Sequence, residues 1–86
     1  MTQVNVYPNP FDNNLSLEVT VENTLSAIVQ ILDENHKIIK MMSWNLKKGT
    51  NKTTLEDLAV LPAGEYTIDI KNMDGEWLFD AKLVKR

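Results

Sequence analysis

At 86 residues, with 43% hydrophobic and 24% charged side chains, the chain is sized for one small globular domain with little stability to spare. The absence of cysteine excludes a disulfide scaffold, a thiolate zinc site and thiol catalysis, and it leaves cytosol, periplasm and cell surface all open. A net charge of −3 lacks the basic footprint of a nucleic-acid binder, no run approaches the ~18 apolar residues of a membrane span, and the first residues lack a signal-peptide pattern. Either the protein is not exported, or this is one domain of a longer precursor.

In chain order, a first strand is predicted over residues 3–7. Tyr7-Pro8-Asn9-Pro10 ends it, because each proline removes a backbone donor and cannot continue a central ladder. Asp12-Asn13-Asn14 follows as a turn. Over 14–22, Leu15, Leu17, Val19 and Val21 alternate with Ser16, Glu18, Thr20 and Glu22, the period of a strand with one buried face. A third strand over 26–33 is apolar from Ala27 to Leu32 except at Gln30, which reads as burial on both faces. The hairpin loop at 33–37 has His36 where glycine would be easier, so Asn35 is expected in the left-handed conformation. In the fourth strand, 37–46, Met41-Met42 breaks the simple alternation, and a bulge there would account for it, although periodicity alone does not place one.

A loop at 47–51 leads to a fifth strand over 51–56. Leu55, Leu58 and Leu61 are spaced by three, enough for one helical turn within 54–61. Leu61-Pro62-Ala63-Gly64 is a further turn, and Tyr66, Ile68 and Ile70 mark a sixth strand over 64–71. Asp74-Gly75 supplies the positive φ of a hairpin. Trp77, Phe79, Ala81 and Leu83 stripe the last strand, 76–85. Seven strands at intervals of about 8–12 residues define an all-β, antiparallel sandwich in one domain, 1–86.

Catalysis finds little support. His36 is the sole histidine and lies in a polar turn, and three glycines leave little room for a nucleophile elbow or a phosphate loop. Asp12-Asn13-Asn14, and Asn72 with Asp74, could offer oxygens to calcium, but they lack the spacing of a calcium loop and are turn formers. No metal or cofactor is expected. Trp44 and Trp77 could stack on a sugar if exposed together, although the phase of Trp77 assigns it to the core. Lys47, Lys48 and Lys52 read as a solvated surface, and Lys82, Lys85 and Arg86 as a basic tail.

Val6-Tyr7-Pro8-Asn9-Pro10-Phe11 near the start, Leu58-Ala59-Val60-Leu61-Pro62-Ala63-Gly64-Glu65-Tyr66 before the penultimate strand, and the ending Ala81-Lys82-Leu83-Val84-Lys85-Arg86 occur in a specific order. This ordered set resembles the type A C-terminal sorting domain of type IX secretion, the Por system, over residues 4–86. His36 departs from the glycine usual in that turn, and Trp77 and Asp80 are also less typical. The resemblance implies a seven-stranded immunoglobulin-like sandwich at the end of a secreted precursor. It implies an N-terminal cargo domain, transit through the periplasm, recognition by the outer-membrane translocon, removal by a sortase-like signal peptidase, and delivery to the cell surface or medium. The signal peptide would then lie at the far end of the precursor, and Met1 would be the start of an excised piece. By resemblance, the recognition residues are Pro8, Asn9, Pro10, Gly64, Tyr66, Lys82, Leu83, Val84 and Lys85. A terminal edge strand of mixed apolar and cationic residues could be read by strand addition.

A secretion signal without enzymatic activity is therefore the expected function. The alternative is a carbohydrate-binding or adhesive module of a cell-surface protein, which exposed, coplanar tryptophans would favour. Unpaired edges would also permit a homodimer or strand exchange.

Overall fold

A computed structural model describes residues 2–86; Met1 lies outside the described residues. Among the described residues seven strands form: β1 (Gln3–Tyr7), β2 (Leu15–Val21), β3 (Leu25–Leu32), β4 (Ile38–Leu46), β5 (Gly49–Leu55), β6 (Gly64–Asn72) and β7 (Trp77–Lys85). The leucines spaced by three yield a single 3-10 turn, Leu58–Val60, with Leu58 buried. All pairings between these strands are antiparallel, in a three-stranded sheet ordered β1-β2-β5 and a four-stranded sheet ordered β4-β3-β6-β7. The two sheets make an all-β sandwich, as the spacing of alternating strands predicts, with the seven strands of the immunoglobulin-like form that the resemblance implies.

Leu15, Leu17, Val19 and Val21 from one sheet meet Ala27, Val29, Ile31, Tyr66, Ile68, Ile70 and Leu83 from the other, and all are buried. Side chains alternate across each strand, so the opposite faces of both sheets point away from this core. In β3 only alternate residues are fully buried, which corrects the expectation of burial on both faces. Ile28, Gln30 and Leu32 are half-buried on an outer face that no second layer covers.

The connections fix the two ends. Residues 22–24 carry β2 into β3 and residues 47–48 carry β4 into β5, so Val21, Leu25, Leu46 and Gly49 share one end. Gln3 pairs with Thr20 and therefore begins β1 at that same end. Tyr7, Leu32, Leu55, Gly64 and Lys85 lie at the other, and the molecule measures 36 Å along its longest axis.

Three local expectations are corrected. His36, not Asn35, takes the left-handed conformation, with φ of 63°. Asp33 makes this tolerable: its Oδ1 accepts bonds from the amides of Asn35 and Lys37, and its carbonyl accepts from the His36 amide. The irregularity in β4 falls at Ile39, since Ile31 pairs with Lys40 and Leu32 with Ile38. Met41 and Met42 then resume ordinary alternation, Met41 exposed and Met42 packed on the core. Trp77 leaves the core stripe because Ile70 pairs with Phe79 and Lys71 with Trp77, skipping Leu78. That extra residue turns Trp77 outward, 58% exposed.

The outer face of the larger sheet also places Asp69 directly across from Asp80. Burial, and then the facing Asp80, raise the Asp69 carboxyl above the usual carboxylate range; Lys71 and His36 oppose the shift. The folded state thus holds this proton to higher pH than the unfolded chain does, and stability falls as pH rises through the window just above the ordinary value of 3.8. Asp69→Asn is expected to raise the melting temperature at neutral pH and to lose that advantage below about pH 3.8. Thermal melts of both proteins across that range check the sign.

Candidate functional site

The segment after β1 leaves the smaller sheet and crosses the end of the sandwich to the larger one. Pro8 and Pro10, both in cis peptide bonds, carry no amide hydrogen and so take no part in a ladder. Phe11 then forms a short parallel bridge with Lys85. Its amide donates to the Val84 carbonyl at 2.9 Å, and its carbonyl accepts from the Arg86 amide at 3.0 Å. Asn9 continues this pairing with its side chain. Its Nδ2 donates to the Lys82 carbonyl at 3.3 Å and its Oδ1 accepts from the Val84 amide at 3.0 Å, much as a strand backbone would. Asp12 and Arg86 add an exposed ion pair at 3.3 Å.

The two motifs furthest apart in the sequence therefore form one clasp. The edge of β7 from Lys82 to Arg86 is already bonded to Asn9 and Phe11. That corrects the expectation of a free terminal edge for strand addition, because the Lys82 carbonyl, the Val84 amide and carbonyl and the Arg86 amide already have partners.

The β5–β6 connection completes this end. Tyr66 enters the core near the start of β6, and its hydroxyl donates to the Pro62 carbonyl at 2.6 Å. This is the tyrosine corner of immunoglobulin-like domains, in which a ring fixes the turn it follows. Phe11, fully buried, meets the Tyr66 ring edge-on with centroids 6.2 Å apart. Burial, and then the carboxylates of Asp33 and Glu34, push the Tyr66 hydroxyl above its usual value, so it remains a donor at neutral pH. Gly64 has φ of 150°, and a Cβ there would come within 3.0 Å of the Glu34 Oε1. The same oxygen accepts a bond from the Glu65 amide.

The expected recognition residues gather at this one end and divide by exposure. Gly64 pairs with Lys85, and Tyr66 with Leu83. Tyr66 and Leu83 belong to the core, and Lys85 is 8% exposed with its Nζ donating to the Arg86 carbonyl. Pro8, Asn9, Pro10, Lys82 and Val84 are exposed. Sequence reasoning missed Phe11 as the anchor. The one large apolar side chain between Tyr7 and Leu15, in a stretch otherwise polar or proline, was the signal.

Other candidates disperse. Trp44 is half-buried against the core on edge strand β4, whereas Trp77 lies on the opposite edge strand under the Lys71 ammonium, 4.2 Å from its ring. They form no common platform for a sugar. The Asn72 Oδ1 accepts from the amides of Asp74 and Glu76 and so closes the β6–β7 hairpin. Among the described residues, no group of three or more His, Cys, Asp or Glu is placed to hold a metal ion.

The structure thus defines a β-sandwich whose last strand is clasped by Asn9 and Phe11, with Pro8, Asn9, Pro10, Lys82 and Val84 exposed around it. The family profile described as the secretion system C-terminal sorting domain matches residues 5–86, and the chain belongs to that family. It is a C-terminal sorting signal of type IX secretion, from a family of targeting domains rather than of enzymes, and it marks an attached N-terminal cargo for the cell surface or the exterior. A search of curated proteins gave no match.

Proposed function

We propose that the exposed face of the clasp, made by Pro8, Asn9, Pro10, Lys82 and Val84, is what the outer-membrane translocon reads after the precursor reaches the periplasm. A sortase-like peptidase then removes the domain at its junction with the cargo. The observation that carries this reading is the pairing of Asn9 with Lys82 and Val84, which makes the two distant motifs one surface that exists only in the folded domain. Such a conformational epitope would let the translocon distinguish a finished domain from an unfolded chain. The direction of β1 supports the same reading. Gln3 begins at the end remote from the clasp, so a cargo joined ahead of β1 leaves the clasp uncovered. Gly64, Tyr66, Leu83 and Lys85 serve recognition by holding that surface in shape.

The test is an inert periplasmic reporter fused ahead of the domain in a host with type IX secretion. Delivery of the fusion to the surface or medium, with the reporter alone retained, is the expected outcome. Equal retention of both contradicts the proposal.

A further inference from the structure

Beside the clasp, a groove runs between the β3–β4 turn and the β5–β6 turn. Its larger part, about 260 Å³, has an apolar wall from Ile39, Leu61, Pro62 and Ala63, faced by the carboxylates of Asp33 and Glu34. A second depression of about 230 Å³ shares Asp33, Glu34, Glu65 and Tyr66 with the first and reaches Lys82 at its far margin. The two adjoin at these shared residues and together make a trough beside the tyrosine corner. Its acidic side forms no ion pair: those among the described residues join Lys52 to Glu18 and Arg86 to Asp12, and Lys82 and His36, which line the second depression, leave Asp33, Glu34 and Glu65 in excess. One oxygen each of Asp33 and Glu34 accepts backbone amides, which fixes the carboxylates, and among the described residues nothing donates to their second oxygens. That both carboxylates act on the Tyr66 hydroxyl places their field over the trough.

We propose that this trough docks an extended segment of a protein partner carrying an arginine or lysine next to an apolar side chain. The cation would lie between Glu34 and Glu65, and the apolar neighbour against Leu61 and Pro62. Complementarity of charge selects the occupant: three carboxylates, Asp33, Glu34 and Glu65, outnumber the one lysine, Lys82, that lines the trough beside His36, which favours a cationic partner, and the apolar wall favours a peptide over a free ion. Gly64 suits the role, since any side chain there would press on the Glu34 carboxylate that forms the acidic side. The inference rests on the sorting function only for the partner's biological setting. Its test needs no export and so fails or succeeds separately.

The 15N-labelled domain is titrated with acetyl-Val-Arg-Val-Arg-Val-amide while amide shifts are followed by NMR, with acetyl-Val-Glu-Val-Glu-Val-amide as the charge-reversed control. Saturable shifts are expected at residues 33–36 and 61–66 with the arginine peptide alone. Glu34→Gln and Glu65→Gln each keep the side-chain shape, and each should weaken binding by about two- to fivefold, with the effect shrinking at high salt. Shifts that do not saturate overturn the proposal. So do shifts that map elsewhere, that appear equally with the glutamate peptide, or that are unchanged in the double Glu34→Gln, Glu65→Gln variant. Thermal melts of the variants confirm that the fold is retained, so the loss is read as binding.

Discussion

Phe11→Ala is expected to remove about 3–5 kcal/mol of stability, the range for emptying a fully buried phenylalanine site. A domain of this length has on the order of 4–13 kcal/mol in all, so the variant keeps a fraction of the native margin or loses it outright. The reason is position as much as size. Phe11 fills the open end of the core between the two sheets, abuts the Tyr66 ring, and supplies the amide and carbonyl that hold Val84 and Arg86. A melting temperature lower by more than about 10 °C should appear, with hydrogen-exchange protection at the Val84 and Arg86 amides lost before that of β3. A loss below about 1 kcal/mol would mean that the clasp does not anchor the domain.

Deletion of residues 83–86 should be more damaging still. It removes buried Leu83 and the last pairings of β7 with β6, those of Leu83, Val84 and Lys85 with Tyr66, Glu65 and Gly64. It also removes the main-chain partners of Phe11 at the end of the sandwich and leaves Asn9 with only its bond to the Lys82 carbonyl. The core truncation alone costs about 2–5 kcal/mol, and the lost edge adds to it. The shortened domain is expected to show no cooperative thermal transition by near-ultraviolet circular dichroism. A normal melt would show that the tail is an appendage. The consequence for function is direct: loss of export in a tail deletion reports folding as readily as recognition, so substitutions at exposed tail positions are the informative variants.

How far the sequence reveals this arrangement depends on whether a feature is local. Strand alternation is local, so β2, β6 and the sandwich class follow from Leu15 to Val21 and from Tyr66, Ile68 and Ile70. Hairpin chemistry is local too, and Gly75 of the Asp74-Gly75 pair takes the positive φ expected there. Bulges are not. One extra residue at Leu78 reverses the side of Trp77, and nothing in the composition of residues 76–85 locates it, because it is set by the partner strand. The left-handed residue at 36 was misplaced because propensity favours asparagine there, while the Asp33 side chain fixes the turn from outside the pair. The resemblance brought out the motifs at both ends of the chain. Their junction through Asn9 spans more than 70 residues of sequence, so only the folded chain reveals that they are one surface.

The most direct measurement of that surface uses the reporter fusion with Lys82→Glu and Val84→Thr together. Both side chains are exposed, and Thr keeps the branched Cβ that suits a strand, so stability should change by less than about 1 kcal/mol. A domain that melts as the parent does yet leaves at least tenfold less reporter at the surface or in the medium is the expected result. Undiminished export from a normally folded double variant would contradict recognition at the clasp.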